Sequence, residues 1–148
     1  MTRTGVDSKE GVCVLGATGS IGQNTLDVVA RHPDRYNLHS ISAHTDWKQL
    51  LEICLRHAPK YAVLSDERLA SEAKSAFENS SLSTTLLTGS DALNFIAEHE
   101  DSPIVMAAIV GAAGLNSTLA AAKAGKKILL ANKESLVLSG RLFMQAIS

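Results

Sequence analysis

Short runs of apolar, often β-branched residues alternate along this chain with longer stretches in which apolar positions recur every three or four residues. The first pattern predicts strands and the second amphipathic helices. Strands are expected at Val12–Leu15, Asn37–Ala43, Tyr61–Leu64, Thr84–Leu87, Ile104–Val110 and Lys127–Leu130. Helices are expected at Ile21–Arg31, Trp47–His57, Glu67–Glu78, Asp91–Glu98 and Leu115–Ala124, with a sixth at Leu136–Ile147. Pro33 and Pro59 stop the first two, Ser90 is placed as the N-cap of the fourth, and Gly125 ends the fifth. Most of the strands are continuously apolar, as strands covered by helices on both faces must be. The alternation therefore predicts an α/β fold, a doubly wound parallel sheet. No linker or internal repeat interrupts it, so residues 1–148 read as one domain.

Composition narrows the function. A chain of 148 residues, 45% of them hydrophobic, buries roughly 70% of its unfolded surface as one domain. Fourteen basic residues against 15 acidic, a net charge of -1, provide no broad field for nucleic acid and no polybasic membrane patch. Any anionic ligand must be caught locally. No apolar run approaches the roughly 18 residues of a membrane helix, and the opening MTRTGVDSKEG lacks the apolar centre of a secretion signal, so a cytoplasmic protein is expected. Cys13 in a strand and Cys54 in a helix fit buried, reduced thiols. The five histidines, His32, His39, His44, His57 and His99, form no pair at helical spacing and have no cysteine partner, so no metal site is expected within the chain.

The sharpest signal is GATGSIGQNTLDVV, which follows the first strand directly and places Gly16, Gly19 and Gly22 at intervals of three. In a strand-to-helix turn that binds a dinucleotide, the first glycine permits a sharp turn and the second lets backbone N–H groups approach the pyrophosphate. The third lets the helix pack closely. The spacing is GxxGxxG, looser than the usual GxGxxG, and Thr18 and Ser20 add hydroxyl donors. The helix dipole favours phosphate by about 0.3–1 kcal/mol at an exposed site, so hydrogen bonds must carry most of the affinity. This context predicts a Rossmann-like turn that holds a pyrophosphate.

Three further stretches lie where strands end. The second strand finishes in SAHTDW, with no carboxylate at Ser42, Ala43, His44 or Thr45 to grip a ribose 2′-hydroxyl, which favours NADP over NAD. Asp46 reads better as the N-cap of the Trp47 helix than as a ribose ligand. Asn132, Lys133 and Glu134, after the last parallel strand, are either a helix cap or part of a ligand site at the sheet's carboxyl edge. AAIVGAAGL, from Ala107, either allows close helix–sheet packing at Gly111 and Gly114 or floors a nicotinamide site.

Taken together, GATGSIGQNTLDVV, MAAIVGAAGL and GKKILLANKESLVLSGRLFM resemble the 1-deoxy-D-xylulose 5-phosphate reductoisomerase family, over nearly the whole chain but only over that family's amino-terminal NADPH-binding region. The family isomerises 1-deoxy-D-xylulose 5-phosphate and reduces the product with NADPH to 2-C-methyl-D-erythritol 4-phosphate, in non-mevalonate isoprenoid synthesis. The resemblance implies that Thr18, Gly19, Ser20 and Ile21 line the NADPH pyrophosphate, that Asn132 and Glu134 also touch the cofactor, and that Lys133 reaches the sugar phosphate. It implies a divalent metal, Mg or Mn, held by residues beyond Ser148, so no catalytic residue is expected here and the chain alone should bind cofactor without turnover. It allows a homodimer of the full-length enzyme. One departure is that many relatives carry Gly-Lys-Asn where this chain has His44, Thr45 and Asp46; the hydroxyls of Ser42 and Thr45 are the expected substitutes. The alternatives are a stand-alone nucleotide-binding or redox-sensing module, or a domain of another NAD(P)-dependent dehydrogenase.

Overall fold

The computed structural model describes residues 9–109, 111–130 and 137–139. Strands β1 (Glu10–Leu15), β2 (Tyr36–Ala43), β3 (Tyr61–Leu64), β4 (Thr85–Thr88), β5 (Ile104–Ala107), β6 (Lys127–Leu130) and β7 (Val137–Ser139) form one sheet in the order β4-β3-β2-β1-β5-β6-β7. The first six are parallel, and β7 pairs antiparallel with β6 at the edge. Helices α1 (Ser20–Arg31), α2 (Trp47–His57), α3 (Ala70–Asn79), α4 (Ser90–Glu98) and α5 (Gly111–Lys123) connect the parallel strands. The expected doubly wound architecture is therefore present.

The period-2 pattern of the strands sorts the core into two layers. Val12 and Val14 of β1 join Leu26 and Val29 of α1, Leu50 and Ile53 of α2 and Phe77 of α3 on one face. Cys13 and Leu15 point the other way, to Leu93 and Ile96 of α4 and Ala121 and Ala122 of α5. Each large side chain buried this way contributes about 1.5–3 kcal/mol of transfer free energy. Both cysteines are buried and free, and burial pushes each thiol up to about 12. After β1 the chain winds outward through β2 and β3 to β4. It then returns along α4, which packs against β1 to β4, to place β5 on the other side of β1. The strand order thus reverses between β1 and β5, and parallel sheets bind ligands at the carboxyl ends of such a pair.

Several boundaries differ from the sequence expectation for tertiary reasons. β5 stops at Ala107, opposite Leu15 where β1 ends, and the Ala108 N–H makes the last ladder bond to the Leu15 carbonyl at 2.9 Å; Val110 lies outside the described residues. α5 begins at Gly111 rather than Leu115, which puts Gly114 inside the helix, where a Cβ would collide with the Ile109 carbonyl oxygen. Ser90 is the first residue of α4 rather than its cap. The preceding Gly89, at φ 95°, holds the cap position without a side-chain bond. The segment expected as a helix at Leu136–Ile147 contains β7 at Val137–Ser139, where pairing to β6 overrides helical periodicity, and its other residues lie outside the described ones. Residues 67–69 form a 3-10 turn ahead of α3.

Asp66 caps that turn. Its Oδ1 accepts the Arg68 amide at 3.0 Å and its Oδ2 meets the Arg68 guanidinium at 2.6 Å, which holds the carboxyl down to about 2. The unfolded chain, with an ordinary aspartate near 3.8, binds more protons between those two values, so this contribution to stability is complete above about pH 4 and is lost as pH falls through 2. Urea unfolding of the Asp66→Asn variant should lack that component of the acid slope while the parent keeps it.

Close packing at the β1–α1 turn leads to a second expectation. A Cβ on Gly22 would collide with the Gly16 carbonyl oxygen and lie 2.7 Å from Ala17 Cα. Backbone cannot rotate aside, so Gly22→Ala should cost about 3 kcal/mol, the upper range for overpacking, and lower the melting temperature by about 6–12 °C. Thermal unfolding monitored by circular dichroism measures it.

Candidate functional site

The carboxyl ends of β1, β2, β3 and β5 enclose a cleft of about 370 Å³ lined by residues that include Gly16, Thr18, Gly19, Ser42, His44, Ser65 and Ile109. Its floor is the turn from β1 into α1. Gly16 has φ 84°, and a Cβ there would stand 2.9 Å from the Ala108 carbonyl oxygen, so only glycine lets β1 exit so close to the β5 loop. Gly22 brings α1 onto this turn. Gly19, between them, is exposed, and a Cβ there would find no atom nearer than the Gly16 carbonyl oxygen at 4.0 Å. Two glycines are thus required by packing, while the third leaves backbone open toward the cleft.

Gly19 is also the N-cap of α1, and no side chain caps that helix. The first-turn amides therefore keep their donors for a ligand. Ser20 and Ile21 open α1, and Ile21 is 44% exposed, a large apolar side chain left in water beside the turn. Thr18 is half-buried, and its carbonyl accepts from Gln23 Nε2 at 2.8 Å.

Ser42 has a different task from the one expected. It is fully buried, its Oγ accepts the Gly16 amide at 2.9 Å and its carbonyl accepts the Ala17 amide at 2.8 Å. It fastens the glycine turn to β2. Thr45 is exposed in the loop, and Asp46 Oδ1 accepts the Gln49 amide at 3.1 Å, as expected of the α2 cap. At the cleft rim His44 Nδ1 lies 2.8 Å from Ser65 Oγ, which leaves Nε2 as the nitrogen able to meet a ligand. Ser65 escaped the sequence reading. Its signal was its place directly after β3, since each residue that follows a parallel strand in this sheet emerges at one edge.

Ala108 and Ile109 line the opposite wall, while Gly114 permits the close approach of α5. The close-packing reading of that segment is thus met at Gly114. β6 ends at Leu130; Asn132, Lys133 and Glu134 lie outside the described residues.

Residues 12–140 match the family model described as 1-deoxy-D-xylulose 5-phosphate reductoisomerase. Curated relatives of that name include one from Aromatoleum aromaticum, 57% identical over 92% of this chain, and one from Stutzerimonas stutzeri, 52% identical over 92%. The chain spans 34% of the length of each. Among solved structures, the Zymomonas mobilis reductoisomerase in complex with NADPH superposes with a TM-score of 0.80 at 42% identity, over 95% of this chain and 36% of that one. A DOX-P reductoisomerase in complex with magnesium gives a TM-score of 0.80 at 43% identity, over 87% and 32%. The glycine turn at a topological switch point and the family match over nearly the whole chain lead to one conclusion: the chain belongs to the 1-deoxy-D-xylulose 5-phosphate reductoisomerase family.

Proposed function

We propose that residues 1–148 are the NADPH-binding domain of a 1-deoxy-D-xylulose 5-phosphate reductoisomerase, and that the turn from Gly16 to Gly22 receives the cofactor's pyrophosphate. The observation that carries this is Gly19: the one glycine of the three whose missing side chain serves no packing contact stands at an uncapped helix N-terminus facing the cleft. A phosphate supplies the acceptors that such a terminus lacks. The relative solved with NADPH, which covers 95% of this chain, supports the same ligand.

Thr18, Gly19, Ser20 and Ile21 would line the pyrophosphate, with exposed Ile21 covering one flank. The adenosine end would run toward the tips of β2 and β3. There His44, steadied by Ser65, takes the place of the missing lysine opposite the 2′-phosphate. The nicotinamide end would lie toward Ala108 and Ile109. When bound, NADPH supplies the hydride. Asn132 and Glu134 are proposed to touch the cofactor, and Lys133 the sugar phosphate, on the strength of the family motif alone.

In the whole protein the reaction would be isomerisation of 1-deoxy-D-xylulose 5-phosphate followed by hydride transfer, in the cytoplasm and as a homodimer. A divalent metal would be held by acidic residues beyond Ser148. The role proposed for residues 1–148 is to bind and orient the cofactor. Among the described residues no helix is long and apolar enough to cross a membrane.

Trp47, the only tryptophan, lies three positions after His44 at the start of α2. Its emission should change as NADPH is titrated into the purified chain, and NADH should bind more weakly. Absence of both a fluorescence response and a heat of binding would overturn the reading. Gly19→Val should weaken NADPH binding by at least about 2 kcal/mol, the scale of a lost charge-assisted hydrogen bond. Its backbone, at φ -78° and ψ 169°, accepts a β-branched residue, so the melting temperature should stay near that of the parent. An unchanged dissociation constant would remove the turn from the site.

A further inference from the structure

The amino edge of the sheet, opposite the glycine turn, holds a second and larger cleft of about 940 Å³, lined by residues that include Lys9, Gly11, His39, Lys60 and Asp101. His39 reaches it through an irregularity in β2. Val12 of β1 pairs with Leu38 while the next residue, Cys13, pairs with Ser40, so His39 is an extra residue with no partner on β1. Such bulges re-aim a side chain out of the strand's alternation. The His39 ring accordingly sits against Tyr61 and, at a centroid distance of 4.5 Å, against His99, just past the end of α4.

Two polar observations meet there. His39 is 5% exposed, its Nδ1 lies 3.2 Å from Ser40 Oγ, and its Nε2 is buried without a hydrogen-bond partner. A buried, unmatched ring nitrogen is uncommon and calls for a ligand or water. His39, His99 and Asp101 also each offer a donor atom within 4.8 Å of one another. His99 Nδ1 accepts the Asp101 amide at 3.0 Å, so a cation on that nitrogen would displace the amide, with Asp101 Oδ2 4.0 Å away. Gly11 makes room, since a Cβ on it would collide with the Asp101 carbonyl oxygen.

We propose that this cleft binds a borderline divalent cation of the Zn²⁺ type through His39, His99 and Asp101, with a fourth position open to solvent. Two imidazoles and one carboxylate form a ligand set suited to zinc, and three protein ligands leave one site for water. Ligands of a tetrahedral zinc with bonds of 2.0–2.2 Å stand about 3.3–3.6 Å apart. The Asp101 side chain, 60% exposed, is free to close the remaining distance. With Nε2 as the ligand atom, His39 Nδ1–H would donate to Ser40 Oγ, 3.2 Å away, and so hold the ring in orientation. Lys126, whose ammonium donates to the His99 carbonyl, brings a positive charge close by and will moderate the affinity. Cys13 stays a thiol bonded to Ser40 and is not among the ligands.

The proposal departs from the expectation of no metal site drawn from histidine spacing, because the cluster is assembled across β2 and the α4–β5 connection. Bound zinc would brace those elements and, binding only the folded chain, would raise its stability. The test uses the purified 148-residue chain, stripped with chelator and titrated with ZnCl₂ by calorimetry and with CoCl₂ by visible absorption. The expected results are one Zn²⁺ per chain, tetrahedral Co²⁺ bands and a raised melting temperature, while MgCl₂, whose ion prefers oxygen ligands, gives none of these. His39→Val and Asp101→Asn should each weaken Zn²⁺ binding at least about tenfold. His44→Ala, at the opposite edge, should leave it unchanged. Asp101 is exposed, so its variant decides the matter even if His39→Val fails to fold. Absence of Zn²⁺ binding by the parent, or binding that survives Asp101→Asn undiminished, would overturn the proposal.

Discussion

At one place in this structure backbone must touch backbone. Gly16 lies so near the Ala108 carbonyl, and Gly22 so near Gly16, that neither position has room for a Cβ. The exit of β1, the entry of α1 and the end of β5 are locked together by that contact and by the Ser42 hydroxyl, which accepts the Gly16 amide. The topological reversal between β1 and β5 would otherwise be a loose seam. Because the contact is made by main chain, it fixes the direction of the α1 N-terminus, and the open Gly19 between the two packed glycines inherits that direction.

The same tightness explains why the cleft is shaped by few side chains. β-strands that end at one edge deliver short residues there: Thr18, Ser42, Ser65 and Ala108 leave room for a ligand, while His44 supplies the only ring among the described residues of the rim. Charge plays little part in this geometry. The chain is nearly neutral, and in the proposed reading the pyrophosphate would be held by oriented amides, which act within the first helical turn.

The opposite edge obeys a different logic. There the sheet admits a bulge, and the extra residue is a histidine with one nitrogen tied to Ser40 and the other buried and unmatched. The two edges are joined by β1: Gly11 at its start makes space for Asp101 and Gly16 at its end makes space for Ala108. One strand thus sets how closely both loops of β5 can approach.

The alternation of apolar runs and helical periodicity in the sequence was enough to place six parallel strands and five connecting helices, because both patterns record what each residue must bury, a local property. The glycine turn was equally legible, since its spacing after an apolar strand has few other uses. Assignments that depend on partners far along the chain were not. Ser42 reads as a ligand for phosphate until β1 is laid beside β2 and claims its hydroxyl. Val137–Ser139 continues a helical pattern until β6 offers it an edge. His39 and His99 share no spacing that a sequence could show, because a strand bulge and a crossover helix bring them together. Local burial is written residue by residue; register, bulges and edge pairing are set only when the strands meet.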